Sequence, residues 1–188
     1  LPVYPVTTNT GLLATSQGDK AMISDVARDV FTVLLANGTR RSIAGAGVTI
    51  GVISNSFDTK PSDVNGANYD VLNFELPGVG IPSDGDDPIP NPYNNTDVNV
   101  LKEYPYGQAS DEGRAMMQIV HDIAPGANLY FRTGVLGAAD MAAGIHELAS
   151  YCDIIVDDVT YITEPFFENG VVADAVNSVV TDQNVKYF

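Results

Sequence analysis

The chain has 188 residues, 45% of them apolar, so it is long enough to bury the core of one domain or most of one. Its 9 Lys and Arg residues against 24 Asp and Glu residues give a net charge of −15, which repels phosphate backbones and anionic membrane surfaces. We therefore expect neither nucleic acid nor a membrane as a partner.

The cysteine and histidine residues indicate neither a disulfide nor a metal site. Cys152 is the only cysteine, so no disulfide can form within the chain. His146 and Cys152 lack metal-ligand spacing, and His121 falls on the outer face of its predicted helix. We expect surface histidines, a buried thiol, no metal and no cofactor.

The first 42 residues are predicted to form an arm and a helix that precede the main domain, residues 43–188. A polar, Pro-containing arm runs to about Gln17, and the first residues lack the pattern of a signal segment. A helix is predicted over residues 19–35, ended by the Asn37-Gly38 pair. The run 47–53 is continuously apolar, which predicts a strand buried on both faces of a parallel sheet.

Residues 61–106 are rich in Pro, Gly, Asn and Asp, which predicts a long surface excursion with one strand over 69–74. The acidic residues at 84, 86 and 87 suggest calcium binding, but the glycine and closing glutamate of an EF-hand loop are missing. A solvated acidic loop is therefore the favoured interpretation of residues 84–87.

Regular alternation follows this excursion. Helices are predicted over 111–124, 138–150 and 171–183, and they alternate with strands over 128–132 and 153–158 and with the start of a strand at 185–188. Such alternation implies βαβ crossovers. The predicted fold class is α/β, a three-layer domain whose mostly parallel sheet carries helices on both faces.

The helix 111–124 carries the most informative pattern. Its apolar residues at 115, 116, 119, 120, 123 and 124 define one face, and Glu112 lies one turn earlier on that face. A carboxylate is thus predicted to point inward at the helix start. Ser110 is predicted to cap the first turn, where the helix dipole also favours Asp111 and Glu112.

This segment, which ends in Ala-Pro-Gly-Ala, resembles the histidine helix of subtilisin-like serine peptidases, with Glu112-Gly113-Arg114 standing in place of His-Gly-Thr. A glutamate in that position is typical of the sedolisins, although Met116 stands where their aspartate belongs. Residues 47–58 resemble the first strand of a subtilase, whose catalytic aspartate is replaced here by Ser54 or, after a shift of one residue, by Asn55.

The resemblance implies catalytic roles for particular side chains. Glu112 would be the general base, Asn55 or Ser54 would hold it by a hydrogen bond, and Asp58 is the nearest ionisable alternative. Asp157 and Asp158 close the strand that in subtilases holds an extended substrate by strand addition. A capping pair in a loop is the alternative interpretation of these two acids.

No Gly-Thr-Ser-x-Ala-x-Pro segment occurs in the 188 residues, nor does the oxyanion residue that subtilases place just beyond the strand at 185. We therefore expect the N-terminal portion of a larger, secreted or extracytoplasmic peptidase domain, with a peptide or protein substrate and the second half of the domain as partners. Alone, the chain should be inactive. The alternative is a degenerate, non-catalytic module that binds peptides or serves as a scaffold.

Overall fold

The structure is a computed structural model that describes residues 17–61 and 65–188. The helices within these residues are α1 (Gln17–Ala21), α2 (Ser24–Val30), α3 (Ala67–Leu72), α4 (Glu112–Ile123), α5 (Ala138–Ala149) and α6 (Val171–Gln183). The strands are β1 (Thr32–Leu34), β2 (Arg40–Ser42), β3 (Thr49–Ser54), β4 (Val79–Gly80), β5 (Ile89–Pro90), β6 (Asn99–Lys102), β7 (Asn128–Thr133), β8 (Ile154–Asp157) and β9 (Lys186–Tyr187).

Five parallel strands form the central sheet, in the order β6-β7-β3-β8-β9. The predicted adjacency of the three main strands is confirmed, with β3 in the middle between β7 and β8. Ser54 pairs with Thr133, and Ile53 pairs with Asp157. The carboxyl ends of β3, β7 and β8 therefore meet at one edge, called the carboxyl edge below.

Helices cover both faces of this sheet, which confirms the predicted three-layer α/β class. One buried cluster includes Val52, Phe131 and Met117 of α4. The other includes Ile53, Ile155 and the buried residues of α5 and α6. Because successive side chains of a strand point to opposite faces, the apolar run of β3 fills both clusters.

The N-terminal helix prediction is wrong beyond its first turns. Ile23 takes a left-handed conformation with φ of 61°, which separates α1 from α2. The β-branched and apolar residues of β1 then pair antiparallel with β2, and Asn37-Gly38 forms the hairpin turn instead of ending a helix. The predicted arm, residues 1–16, lies outside the described residues.

The predicted excursion contains regular structure that the sequence patterns missed. The strand expected over 69–74 is instead the helix α3, so that prediction is wrong. β6 lies near the end of the same excursion, where no strand was predicted, and extends the sheet beyond β7. Asp84, Asp86 and Asp87 are exposed in the loop between β4 and β5. No helix in the described part of the chain has the length and apolarity needed to cross a membrane.

Candidate active site

Asn55 and Glu112 lie side by side at the carboxyl edge. Asn55 follows β3 directly, and Glu112 is the first residue of α4. The Asn55 Oδ1 atom accepts a hydrogen bond from the Glu112 backbone N–H at 3.1 Å, and Asn55 Nδ2 donates to Glu112 Oε2 at 3.4 Å. Asn55 Nδ2 also donates to Ser110 Oγ. The juxtaposition expected from the sequence is therefore present in the structure.

The chain that leaves β3 supplies the cap of α4. Asp111 precedes the helix with φ of 56° and makes no side-chain capping bond. The backbone N–H of Gly113 donates to the Ser56 carbonyl at 3.0 Å, and a Cβ on Gly113 would lie 2.8 Å from that same oxygen. Glycine thus allows α4 to begin against the end of β3. The predicted Ser110 cap is wrong, because Asn55 and Ser56 provide these acceptors.

The buried carboxylate at this helix start belongs to Asp111, and Glu112 is exposed. The prediction that Glu112 points inward is wrong, because the left-handed conformation of Asp111 turns the Asp111 side chain into the protein instead. The Asp111 Oδ1 atom accepts hydrogen bonds from Ser56 Oγ at 2.8 Å and from the N–H and hydroxyl of Thr59 at 2.9 and 2.6 Å. Burial alone would raise the pKa of Asp111, but these bonds and nearby Arg114 lower it.

Arg114 is the centre of a buried ionic cluster next to this site. Its guanidinium contacts Asp58 at 2.6 Å, Asp70 at 2.9 Å and Asp111 at 3.6 Å. The Asp70 contact is an ion pair without hydrogen-bond alignment. Burial raises the pKa of Asp58, and it raises the pKa of Asp70 to about 6. Asp58 Oδ1 accepts hydrogen bonds from Arg114 and from the Ala67 N–H. Among the described residues, no interaction joins Asp58 to Glu112.

The remaining candidate residues line the neighbouring strand ends. Ser54 is fully buried and donates from Oγ to Asp158 Oδ2 at 3.2 Å, so Ser54 is turned away from Glu112. Asp157 Oδ1 accepts the Val159 N–H at 3.0 Å, which is the local loop bond of the alternative interpretation. Thr133 was missed, although it ends β7 and donates from Oγ1 to the Asn55 carbonyl at 2.6 Å. A polar residue closing a buried strand was the signal available in the sequence.

The face that α4 buries differs from the predicted one. Its buried residues are Gly113, Arg114, Met117 and His121, while Ile119 of the predicted apolar face is 49% exposed. The expected surface position of His121 is therefore wrong. His121 is 3% exposed, and burial lowers its pKa to about 4. The buried position of Cys152 is confirmed, and His146 is exposed as expected.

Asn91 determines the protonation of His121. The Asn91 Oδ1 atom accepts the Tyr93 N–H, and its Nδ2 donates to the Leu76 carbonyl, so the amide orientation is set by the backbone. The second hydrogen of Nδ2 then points to His121 Nε2 at 3.2 Å, which must act as an acceptor. His121 is therefore neutral with its proton on Nδ1, an atom without a hydrogen-bond partner among residues 17–61 and 65–188.

The chain matches no protein-family model, no curated protein and no solved structure. Within residues 17–61 and 65–188, no group of three or more His, Cys, Asp and Glu side chains is arranged to hold a metal ion. Chemically, the carboxyl edge offers the exposed carboxylate of Glu112, held at a helix start by a neutral amide. Such a group can accept a proton from a nucleophile placed beside it.

Proposed function

We propose that the chain supplies the general-base half of a serine peptidase site of the subtilase type, with Glu112 as the base. The observation that carries this proposal is the double contact of Asn55 with the carboxylate and the backbone N–H of Glu112. It keeps an exposed carboxylate at the edge where ligands bind in open parallel sheets. The peptidase would be secreted or extracytoplasmic.

In this proposal a serine outside the 188 residues provides the nucleophile. Its hydroxyl proton passes to a Glu112 carboxylate oxygen while the serine oxygen attacks the peptide carbonyl, and Glu112 later returns the proton to the leaving amine. Asn55 positions Glu112 by hydrogen bonding, but an amide cannot share the proton. The substrate is an extended peptide or protein segment, held beside the end of β8 near Asp157 and Asp158.

One observation favours the second candidate function, a non-catalytic module that binds peptides or serves as a scaffold. The side chain that hydrogen-bonds to the Glu112 carboxylate is the non-ionisable Asn55, and the ionisable Asp58 is paired with Arg114. Without a second carboxylate, Glu112 lacks the acidic partner that orients the base in catalytic triads. The same edge could then still hold a peptide without cleaving it.

The two functions differ in their response to a reactive fluorophosphonate. A full-length protein that contains this domain should be labelled on a serine outside these 188 residues and should hydrolyse peptides, and Glu112→Gln should reduce hydrolysis at least about a hundredfold. Glu168→Gln, a change at another exposed glutamate, is the matched control. The 188-residue chain alone should show neither labelling nor cleavage. An unlabelled and inactive full-length protein would support the scaffold, and a labelled serine within these residues would refute both assignments.

A further inference from the structure

The segment from residue 17 to residue 43, called the hairpin unit below, exposes an unusually apolar surface. It contains α1, α2, β1 and β2, and its large apolar side chains are 43–69% exposed at Met22, Ile23, Val26, Val30, Phe31, Val33, Leu34 and Ile43. Together they expose several hundred Å² of apolar surface on both faces of the hairpin and on the adjoining helices, in the range at which exposed apolar area marks an interaction site. The surface is therefore a candidate interface.

The charge of the hairpin unit differs from that of the rest of the chain. The hairpin unit has four basic and three acidic residues, whereas the rest of the chain has five basic and twenty-one acidic residues. Two copies of a chain with a net charge of −15 repel each other. That repulsion is weakest where the hairpin units face each other, so this surface suits a second copy of the same chain.

The hydrogen-bond pattern of the hairpin identifies which backbone groups of β1 point away from β2. The Leu35 N–H donates to the Thr39 carbonyl and the Ile43 N–H to the Phe31 carbonyl, so the bonded pairs of this antiparallel ladder alternate through Val33 and Arg41. The backbone N–H and carbonyl groups of Thr32 and Leu34 therefore face away from β2. They form an outward edge capable of accepting another strand.

Of the two strands of the hairpin, β1 is the one that can pair with its own copy without opposing like charges. Its residues Thr32, Val33 and Leu34 carry no charge, and the strand has none of the Lys, Pro or bulge features that block edge pairing. β2 carries Arg40 and Arg41, so pairing two β2 strands would oppose like charges. A two-fold axis at Val33 places Thr32 of one copy opposite Leu34 of the other, and every outward backbone group finds a partner.

We propose that the chain forms a two-fold symmetric dimer in which the β1 strands of two copies pair antiparallel into a four-stranded sheet. The apolar side chains around β1 and α2 bury each other across the axis. The contact is independent of the carboxyl edge, so the dimer stands or falls separately from the proposed peptidase function.

Light scattering coupled to size exclusion, at micromolar concentration and physiological salt, tests the dimer. The wild-type chain should have twice the mass of one chain. Leu34→Pro removes an outward N–H without removing a hairpin bond, and Leu34→Lys places like charges across the axis. Each should weaken dimerisation at least about tenfold. Phe167→Lys, a change at an apolar side chain that is 103% exposed outside the hairpin unit, should leave the dimer intact.

Circular dichroism and thermal melting of each variant establish that the monomers remain folded. A wild-type monomer would overturn the proposal and would leave the first sixteen residues of the chain, or a different protein, to cover the apolar surface. A dimer that persists in both folded Leu34 variants would overturn it as well, because the contact would then lie elsewhere.

Discussion

At the N-terminal end of α4, Arg114 is buried among the carboxylates of Asp58, Asp70 and Asp111, whereas at its C-terminal end His121 is buried beside the neutral amide of Asn91. The first end keeps charges inside by pairing them, and the second keeps its ionisable group neutral. The two ends thus show both ways in which a protein tolerates a buried ionisable side chain. His121 and Asp70 are therefore expected to change the free energy of unfolding in opposite directions on acidification.

The largest expected effect comes from removing the cation of the ionic cluster. Arg114→Met leaves three carboxylates close together without their counter-charge, which should lower the free energy of unfolding by about 3 to 5 kcal/mol. Urea unfolding at neutral pH measures the change. Arg40→Met, a change at an exposed arginine, should cost no more than about 0.5 kcal/mol. A loss below about 1 kcal/mol for Arg114→Met would show that the cluster is not paired as described.

The C-terminal end of α4 should lose stability in acid. The pKa of His121 is about 4 in the folded protein and 6.5 ordinarily, so the unfolded chain binds more protons between these values. His121 therefore contributes up to about 3 kcal/mol to the free energy of unfolding. This contribution is complete above pH 6.5 and is lost as the pH falls to 4. His121→Gln keeps an acceptor for Asn91 and should remove this loss from urea titrations across the same range. An unchanged pH slope would mean that His121 is solvated.

Asp70, at the N-terminal end, should change the free energy of unfolding with the opposite sign and to a slightly smaller extent. The pKa of Asp70 is raised from 3.8 to about 6, so the folded protein binds more protons between these values. Asp70 therefore contributes about 2 to 3 kcal/mol to the free energy of unfolding below pH 3.8, and this contribution is lost as the pH rises through 6. In wild type this trend offsets that of His121.

Asp70→Asn should therefore make stability fall more steeply on acidification than in wild type, because the Asp70 trend that offsets the His121 trend is removed. Asp84→Asn, a change at an exposed acid, is the control and should leave the slope unchanged. A slope that becomes flatter in Asp70→Asn would reverse the sign assigned to Asp70.

The sheet was predictable because its signal is local. The apolar run of β3 and the regular alternation after residue 106 give the central strands and both α5 and α6 within a residue or two. The hairpin and α3 were missed, since strands of three residues and helices of six have too little periodicity to distinguish them.

The candidate site was predictable only in part. The proximity of Asn55 and Glu112 follows from the order of β3 and α4, because the chain after β3 and the start of α4 meet at the carboxyl edge. The buried face of α4 did not follow, because Arg114 and His121 look like surface residues until distant partners such as Asp70 and Asn91 satisfy them. The left-handed conformation of Asp111, which decides which acid is buried, has no clear signature in sequence.

The most direct test of the central claim, that Glu112 is a catalytic base held by Asn55, is a double-mutant cycle on peptide hydrolysis by the full-length protein. Asn55→Asp should increase hydrolysis, because a second carboxylate can orient Glu112 and share its proton. The increase should vanish when Glu112→Gln is also present, while Asn95→Asp, at an exposed asparagine, should change nothing. Unchanged hydrolysis in Asn55→Asp, or an equal increase without the Glu112 carboxylate, would contradict the account.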